Sequence, residues 1–498
     1  MTKYYLGVDQ GTTGTTALLI DDRWKVVSRG YYMHRQIYPM AGWVEHDPIE
    51  ILHGCISAVQ QAINGCPECK KGEIAAVGID NQGETCTAWN RKTGQPIYNA
   101  LVWQDRRTSE FCDRLKAEHG EEIRKITGLV SDAYYSASKF RWILDHVENA
   151  REMAARGELC MGTLDSFLIW HLTGGKAWVT DASTAGRTML MDMRRAEWSS
   201  EMLDWCGIPR RLLPEIHDCS CIYGYTDPDK FLGLRVPIGA SLADAHAALA
   251  AQGCFSLGDV KATYGTGCFM NMITGREMRL SDHGLTTSLP LQIQGERTYA
   301  FGGAVYIAGA AIQWLKDGLN LFEHAADTQA MAQRVPDTNG VYFVPAFSGL
   351  AAPWWDQYAR GLMIGITGGT NKFHIVRAVL ESIAFQVYDN METMQRDAGT
   401  TLTVLKADGG PVDNEFLMQF QADMLGIPVE IPSEKETSAY GAAFLAALAI
   451  GDFDYVEQVR QCLKMKRRYI PAMSEDERLS RIAMWRKAVA RTRDWAKG

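Results

Sequence analysis

Two short stretches constrain this chain more than anything else in it. Near the start, "YYLGVDQGTTGTTALLID" reads as an apolar strand, a polar glycine–threonine turn and a second apolar strand. Roughly 250 residues later, "DVKATYGTGCFMNMI" repeats the arrangement with "YGTG" as its turn. Strands are predicted over Tyr4–Asp9, Thr15–Asp21 and Trp24–Tyr32, and again through Asp259–Ile273 around the second turn. A plain hairpin connection needs neither two threonines nor two glycines. A glycine–threonine turn, by contrast, offers backbone N–H groups and hydroxyls at close range to an anion. Two such turns in equivalent places point to a duplicated α/β domain whose halves face a polyphosphate from both sides.

The length supports two domains, because 498 residues exceed one ordinary core. The boundary is placed near residue 250, giving halves at 1–250 and 251–498. A cleft between halves is where a ligand is expected. Net charge is −8 with no lysine–arginine run, which argues against a nucleic-acid partner. The N-terminus reaches Asp9 too early for a signal peptide, and "GAAFLAALAIG" is too short to span a bilayer. It reads as a buried helix, and a cytoplasmic location is expected. The twelve cysteines include one CxxC without the second pair a structural zinc site uses, so they read as reduced, mostly buried residues.

Several single residues stand out. Asp47 and Pro48 start a helix as cap and first residue. Asp9 ends a strand where it is placed to hold magnesium, directly or through water, as hard oxygen ligands do. Gly409–Gly410 end a strand and Asn414 begins the next helix, which suits an anion or a purine edge, or is an ordinary strand-to-helix turn. Asp244 lies in "GASLADAHAALAAQG", where a carboxylate among alanines needs a reason. It caps the helix, takes a proton from an attacking hydroxyl, or does both. His246 reads as a helix-surface residue. The six residues "DNQGET", Asp80–Thr85, place Gly83 inside a polar cluster at the end of a strand.

Taken together, these residues carry a resemblance. The segments "DQGTTG", "GWVEHDP", "YYSASKFRWILDH", "TYGTGCFM", "GLMIGITGGTNKFHIVRAVLE" and "DGGPVDNEFLMQFQADMLG" are similar to the FGGY carbohydrate kinases over essentially the whole chain, and most of all to the branch that phosphorylates glycerol. The resemblance implies two domains of the actin and hexokinase (ribonuclease H-like) type, each with a mixed five-stranded sheet, closing on ATP and a sugar or polyol with Mg2+. It implies roles position by position. Asp9 faces the metal; Gln10, Gly11, Thr12 and Thr13 form the first phosphate loop; Gly265 and Thr266 form the second. Gly309, Gln313, Gly410 and Asn414 lie around the nucleotide. Asp244 is the catalytic base, and Glu84, Trp103, Tyr134 and Phe269 bind the polyol. Such kinases are often dimers or tetramers.

Two positions depart from that pattern. Gly83 stands where glycerol-phosphorylating relatives have arginine, and Ala245 where they have glutamine; both missing side chains donate to glycerol hydroxyls. A third, Thr16, replaces an arginine beside the first loop. Losing both acceptor-side donors weakens glycerol binding by roughly one to three powers of ten and leaves room beside position 83. The expectation from these departures is an acceptor larger than glycerol, a four- to six-carbon polyol or ketose phosphorylated on a terminal hydroxyl. The alternative is glycerol itself. A third reading, a non-catalytic ATP-binding protein of the actin type, has no need of Glu84, Trp103, Tyr134 and Asp244 together.

Overall fold

The computed structural model describes residues 2–69 and 73–497. The first hairpin forms as expected, with β1 (Tyr4–Gln10) and β2 (Gly14–Asp21) antiparallel. Strand β3 (Val26–Met33) follows two residues later than predicted, because Trp24 sits in the connecting turn with φ of +61°. Helix α1 (Pro48–Asn64) starts as read, the Asp47 carboxylate accepting from the Ile49 and Glu50 N–H groups. Strand β4 (Ile74–Asn81) then pairs parallel with β1, placing Asp9 beside Asp80. Strands β5 (Ser220–Tyr225) and β6 (Pro237–Ala243) complete a six-stranded sheet in the order β5-β6-β4-β1-β2-β3. Helix α2 (Asp244–Ala251) leaves directly from the end of β6.

The second half repeats this plan. Strands β7 (Val260–Tyr264) and β8 (Cys268–Gly275) flank the second glycine–threonine turn. Strands β9 (Thr286–Ile293) and β10 (Glu296–Val305) extend the sheet on one side. After helices α3 (Gly309–Asp317) and α4 (Lys372–Ala398), strand β11 (Leu405–Gly409) joins β7 in parallel. Helix α5 (Glu415–Leu425), strand β12 (Val429–Pro432), helix α6 (Thr437–Ala449), strand β13 (Met465–Tyr469) and helix α7 (Glu475–Thr492) end the chain. The sheet order is β9-β10-β8-β7-β11-β12-β13.

In both sheets an antiparallel three-strand run is followed by two parallel strands, β3-β2-β1-β4-β6 matching β10-β8-β7-β11-β12. The duplication expected from the two turns is therefore the topology of the fold. The sheets are wider than the five strands expected, with β5, β9 and β13 added at the edges.

Helix α6 holds the stretch read as a buried helix, and ten of its thirteen residues are buried. It lies not on its own half's sheet but against β1, β4 and β6 of the first sheet and against α2. Glycine makes the close approach possible. A Cβ on Gly78 of β4 would stand 1.9 Å from the Ala442 carbonyl oxygen, and one on Gly7 of β1 would stand 1.9 Å from that of Ala439. The base of the cleft is thus a tightly packed joint between the two halves of the sequence. Among the described residues no helix is long and apolar enough to cross a membrane, and ten of the twelve cysteines are buried.

Candidate active site

A cleft of about 510 Å³ opens between the halves. Thr12, Gly83, Glu84, Trp103, Tyr134, Asp244, Ala245 and Phe269 all line it, so the predicted acceptor residues come together although they are scattered over most of the first half and the start of the second.

Asp244 is the first residue of α2. The capping role is not what it performs: the cap position is held by Ala243, whose methyl accepts no bond. Asp244 Oδ1 instead accepts from the neighbouring Ala245 N–H at 2.6 Å. Burial, reinforced by the Glu84 carboxylate, pushes the Asp244 carboxyl up to about 6, against the pull of the Ala245 N–H, Lys261 and Arg187. His246 is a correction. It is not on the helix surface but 3% exposed, lining the cleft, with Nδ1 buried and lacking a partner among the described residues. Burial, then Arg187 and Lys261, push its imidazole down to about 3, so it is neutral near pH 7.

Trp103 and Tyr134 meet edge to face with ring centroids 5.4 Å apart. Trp103 is tied to the first glycine–threonine turn, its indole N–H donating to Thr12 Oγ1 at 2.9 Å. The Tyr134 backbone is anchored by buried Lys139, whose Nζ donates to the carbonyls of Ala133, of Tyr134 at 2.8 Å and of Tyr135 at 3.2 Å. Phe269, on β8, is half-exposed across the cleft.

Gly83 sits in the turn after β4 with φ of +24°, a conformation that L side chains rarely adopt. The room expected beside it is not empty. A Cβ there would lie 3.3 Å from the Ala243 Cβ and 3.5 Å from the Arg187 Cγ. Arg187 enters from a short helical turn, Gly186–Thr188, and its Nε donates to Glu84 Oε1 at 2.6 Å. Burial pulls the guanidinium pKa down, but Glu84, Tyr135 and Tyr134 raise it by more, so it stays charged. The sequence reading missed Arg187: it lies 103 residues from Glu84, in a segment with no recognisable motif.

The two glycine–threonine turns keep donors in reserve. Gly11 N–H and Gly265 N–H close their own turns onto Gly14 and Gly267 carbonyls. The N–H groups of Thr12, Thr13 and Thr266 have no acceptor among the described residues. Gln10 is buried, its carbonyl oxygens receiving Gln82. Asp9 Oδ1 is buried with no hydrogen-bond partner among the described residues, and burial together with Asp244 raises its carboxyl. Gly309 N–H donates to the Gly265 carbonyl at 2.9 Å, and a Cβ on Gly309 would stand 2.5 Å from that oxygen, so α3 begins directly against the second turn. The carboxamide of Gln313, one turn along α3, is engaged with Asp317 at 2.5 Å. Gly410 opens a short helical turn, and a Cβ there would meet nothing within 4 Å. Asn414 caps α5, its Oδ1 accepting from Leu417 N–H and its Nδ2 donating to Thr328. Another missed group is Lys261, buried on β7 and paired with Asp408 Oδ2 at 3.1 Å at the cleft floor.

Residues 4–251 match the N-terminal domain, and residues 260–450 the C-terminal domain, of the FGGY family of carbohydrate kinases. The chain is 49% identical over 496 residues to glycerol kinase 2 of Thermotoga maritima, covering 99% of this chain and 100% of that one. It is 51% identical over 497 residues to the glycerol kinase of Carboxydothermus hydrogenoformans, covering 99% of both. The crystal structure of Plasmodium falciparum glycerol kinase with ADP superimposes with a TM-score of 0.93 at 33% identity, covering 99% of this chain and 98% of that one. These full-length relatives overturn the expectation of a four- to six-carbon acceptor drawn from Gly83 and Ala245. The physical reason bears on position 83: the stem of Arg187 borders the space beside this glycine, a Cβ there lying 3.5 Å from the Arg187 Cγ.

Proposed function

We propose, from the premise that this chain belongs to the FGGY family of carbohydrate kinases, that it transfers the γ-phosphoryl group of ATP to a terminal hydroxyl of glycerol. The observation that carries this reading is the grouping of Asp244, Glu84, Trp103 and Tyr134 on the wall of the interdomain cleft. Glycerol is a short carbon chain with a hydroxyl on each carbon. The rings of Trp103 and Tyr134, 5.4 Å apart, give its carbons an apolar corner, and Glu84 gives its hydroxyls an acceptor. The similarity to full-length glycerol kinases supports the choice of acceptor.

Asp244 serves as general base. A carboxyl raised to about 6 is still ionised near pH 7, yet more basic than an ordinary aspartate. It takes the proton as the hydroxyl oxygen attacks the γ-phosphorus. The bond to the bridging oxygen breaks, and ADP leaves with that electron pair. The free N–H groups of Thr12, Thr13 and Thr266 face the developing phosphate charge from the two turns. The buried, unpartnered Oδ1 of Asp9 fits a cation, and Asp9 is the residue that would hold Mg2+, directly or through water. Magnesium, when bound, neutralises the β- and γ-oxygens. Gly309, set against the second turn, and Gly410 and Asn414, just ahead of α5, are the residues that would take the nucleotide.

The test is ADP release on mixing enzyme, ATP, Mg2+ and glycerol, together with the Asp244→Asn variant. The expected result is steady turnover by the unmodified enzyme, with nucleotide binding kept and transfer lost in the variant. Full transfer by Asp244→Asn removes the base assignment.

A further inference from the structure

We propose that Arg187 determines acceptor specificity: its guanidinium, held in place by Glu84, donates a hydrogen bond to one hydroxyl of the phosphoryl acceptor. The inference rests on the reading of the cleft as a small-polyol site.

Arg187 carries an unfilled set of donors. A guanidinium carries five N–H donors in a rigid fork. Arg187 uses one, Nε–H to Glu84. Its terminal nitrogens have no acceptor among the described residues, although the side chain is only 16% exposed. Arg187 lines the cleft, so these charged donors are open to an acceptor supplied by the ligand. The position is right for one. The guanidinium carbon lies 5.8 Å from the ring centroid of Tyr134 and 5.3 Å from that of Tyr135, both on the cleft wall.

The residues around it clear its path. Gly83, Ala243 and Ala245 line the same part of the cleft, and none has a side chain longer than a methyl. At Gly83, φ is +24° and an added Cβ would already touch both Ala243 and the Arg187 stem. Glycine at 83 therefore lies directly beside the stem of Arg187. Glu84 accepts from Arg187 through Oε1, which leaves Oε2 to a second acceptor hydroxyl.

A purely structural role, neutralising buried Glu84, predicts a different outcome, and acceptors lacking one hydroxyl separate the two. The experiment measures kcat/KM for glycerol, 1,2-propanediol and 1,3-propanediol in the unmodified enzyme, Arg187→Gln and Arg187→Lys. Thermal melting and ADP binding are recorded for each. If Arg187 donates to a hydroxyl, Arg187→Gln loses roughly tenfold or more on glycerol. On the diol that lacks the contacted hydroxyl it loses much less, so the preference for glycerol over that diol collapses. Should Arg187→Gln fail to fold, Arg187→Lys decides. Lysine keeps the charge beside Glu84 but not the fork, and the glycerol-selective loss is expected to persist. An equal fall on all three acceptors in a folded variant overturns the proposal. Absence of glycerol turnover in the unmodified enzyme instead defeats the small-polyol reading, and the proposal falls with it.

Discussion

Replacing Asp244 with asparagine is expected to abolish phosphoryl transfer and at the same time stabilise the fold. The carboxyl is raised from 3.8 to about 6 by burial and by Glu84. That is about two pKa units, or about 3 kcal/mol at 1.36 kcal/mol per unit. The sign follows from linkage. Between the two pKa values the unfolded chain binds fewer protons at this site than the folded one, so stability falls as pH rises from about 4 to about 6, and the full penalty stands above that. Asparagine removes the charge while its Oδ1 still accepts the Ala245 N–H, which meets Oδ1 of Asp244 at 2.6 Å. Urea unfolding should therefore show Asp244→Asn more stable than the parent by about 3 kcal/mol near pH 8 and by about half that near pH 5. A gain that does not change between the two pH values, or a loss at both, refutes the idea that this base is held at an energetic disadvantage by its pocket.

Further outcomes can be checked alongside. kcat/KM for glycerol should fall tenfold per pH unit below about 6 as Asp244 is protonated, read from a pH–rate profile under first-order conditions. Gly78→Ala should lower the melting temperature, because its Cβ would stand 1.9 Å from the Ala442 carbonyl oxygen and force α6 outward, costing about 1–3 kcal/mol or more. Trp103→Phe keeps a ring but loses the 2.9 Å bond to Thr12, so KM should rise for both glycerol and ATP in steady-state assays. Removal of Asp9 by Asp9→Asn should raise the Mg2+ concentration needed for half-maximal rate, measured by magnesium titration, while leaving the glycerol KM nearly unchanged.

Much of the fold was legible because its signals are local. The two glycine–threonine hairpins, the Asp47 cap and the all-apolar helix each depend on residues within one turn or one strand of each other. The site was legible to the extent that each residue announced itself alone, as Asp244 did by being a carboxylate among alanines. What could not be read is long-range. Arg187 reaches Glu84 across 103 residues, from a turn whose sequence carries no signature, and only that contact shows why a glycine at 83 need not mean a larger pocket. Helix α6 crosses to the first sheet through glycine contacts that involve residues more than 350 positions apart, as Gly78 and Ala442 are. His246 was misread because helical spacing on a short helix does not reveal that both of its faces are covered. The edge strand β9 could not be read from the duplication because it has no counterpart in the first sheet, and the matching antiparallel edge strands β5 and β13 lie far in sequence from the turn of their own half.

The most direct test of the account is acceptor choice. ADP release is measured with glycerol, erythritol, xylitol and ribitol at equal concentrations, with products identified by mass. The account predicts that glycerol gives the highest kcat/KM and that glycerol monophosphate accumulates in step with ADP. Turnover of a longer polyol with glycerol inert would contradict it.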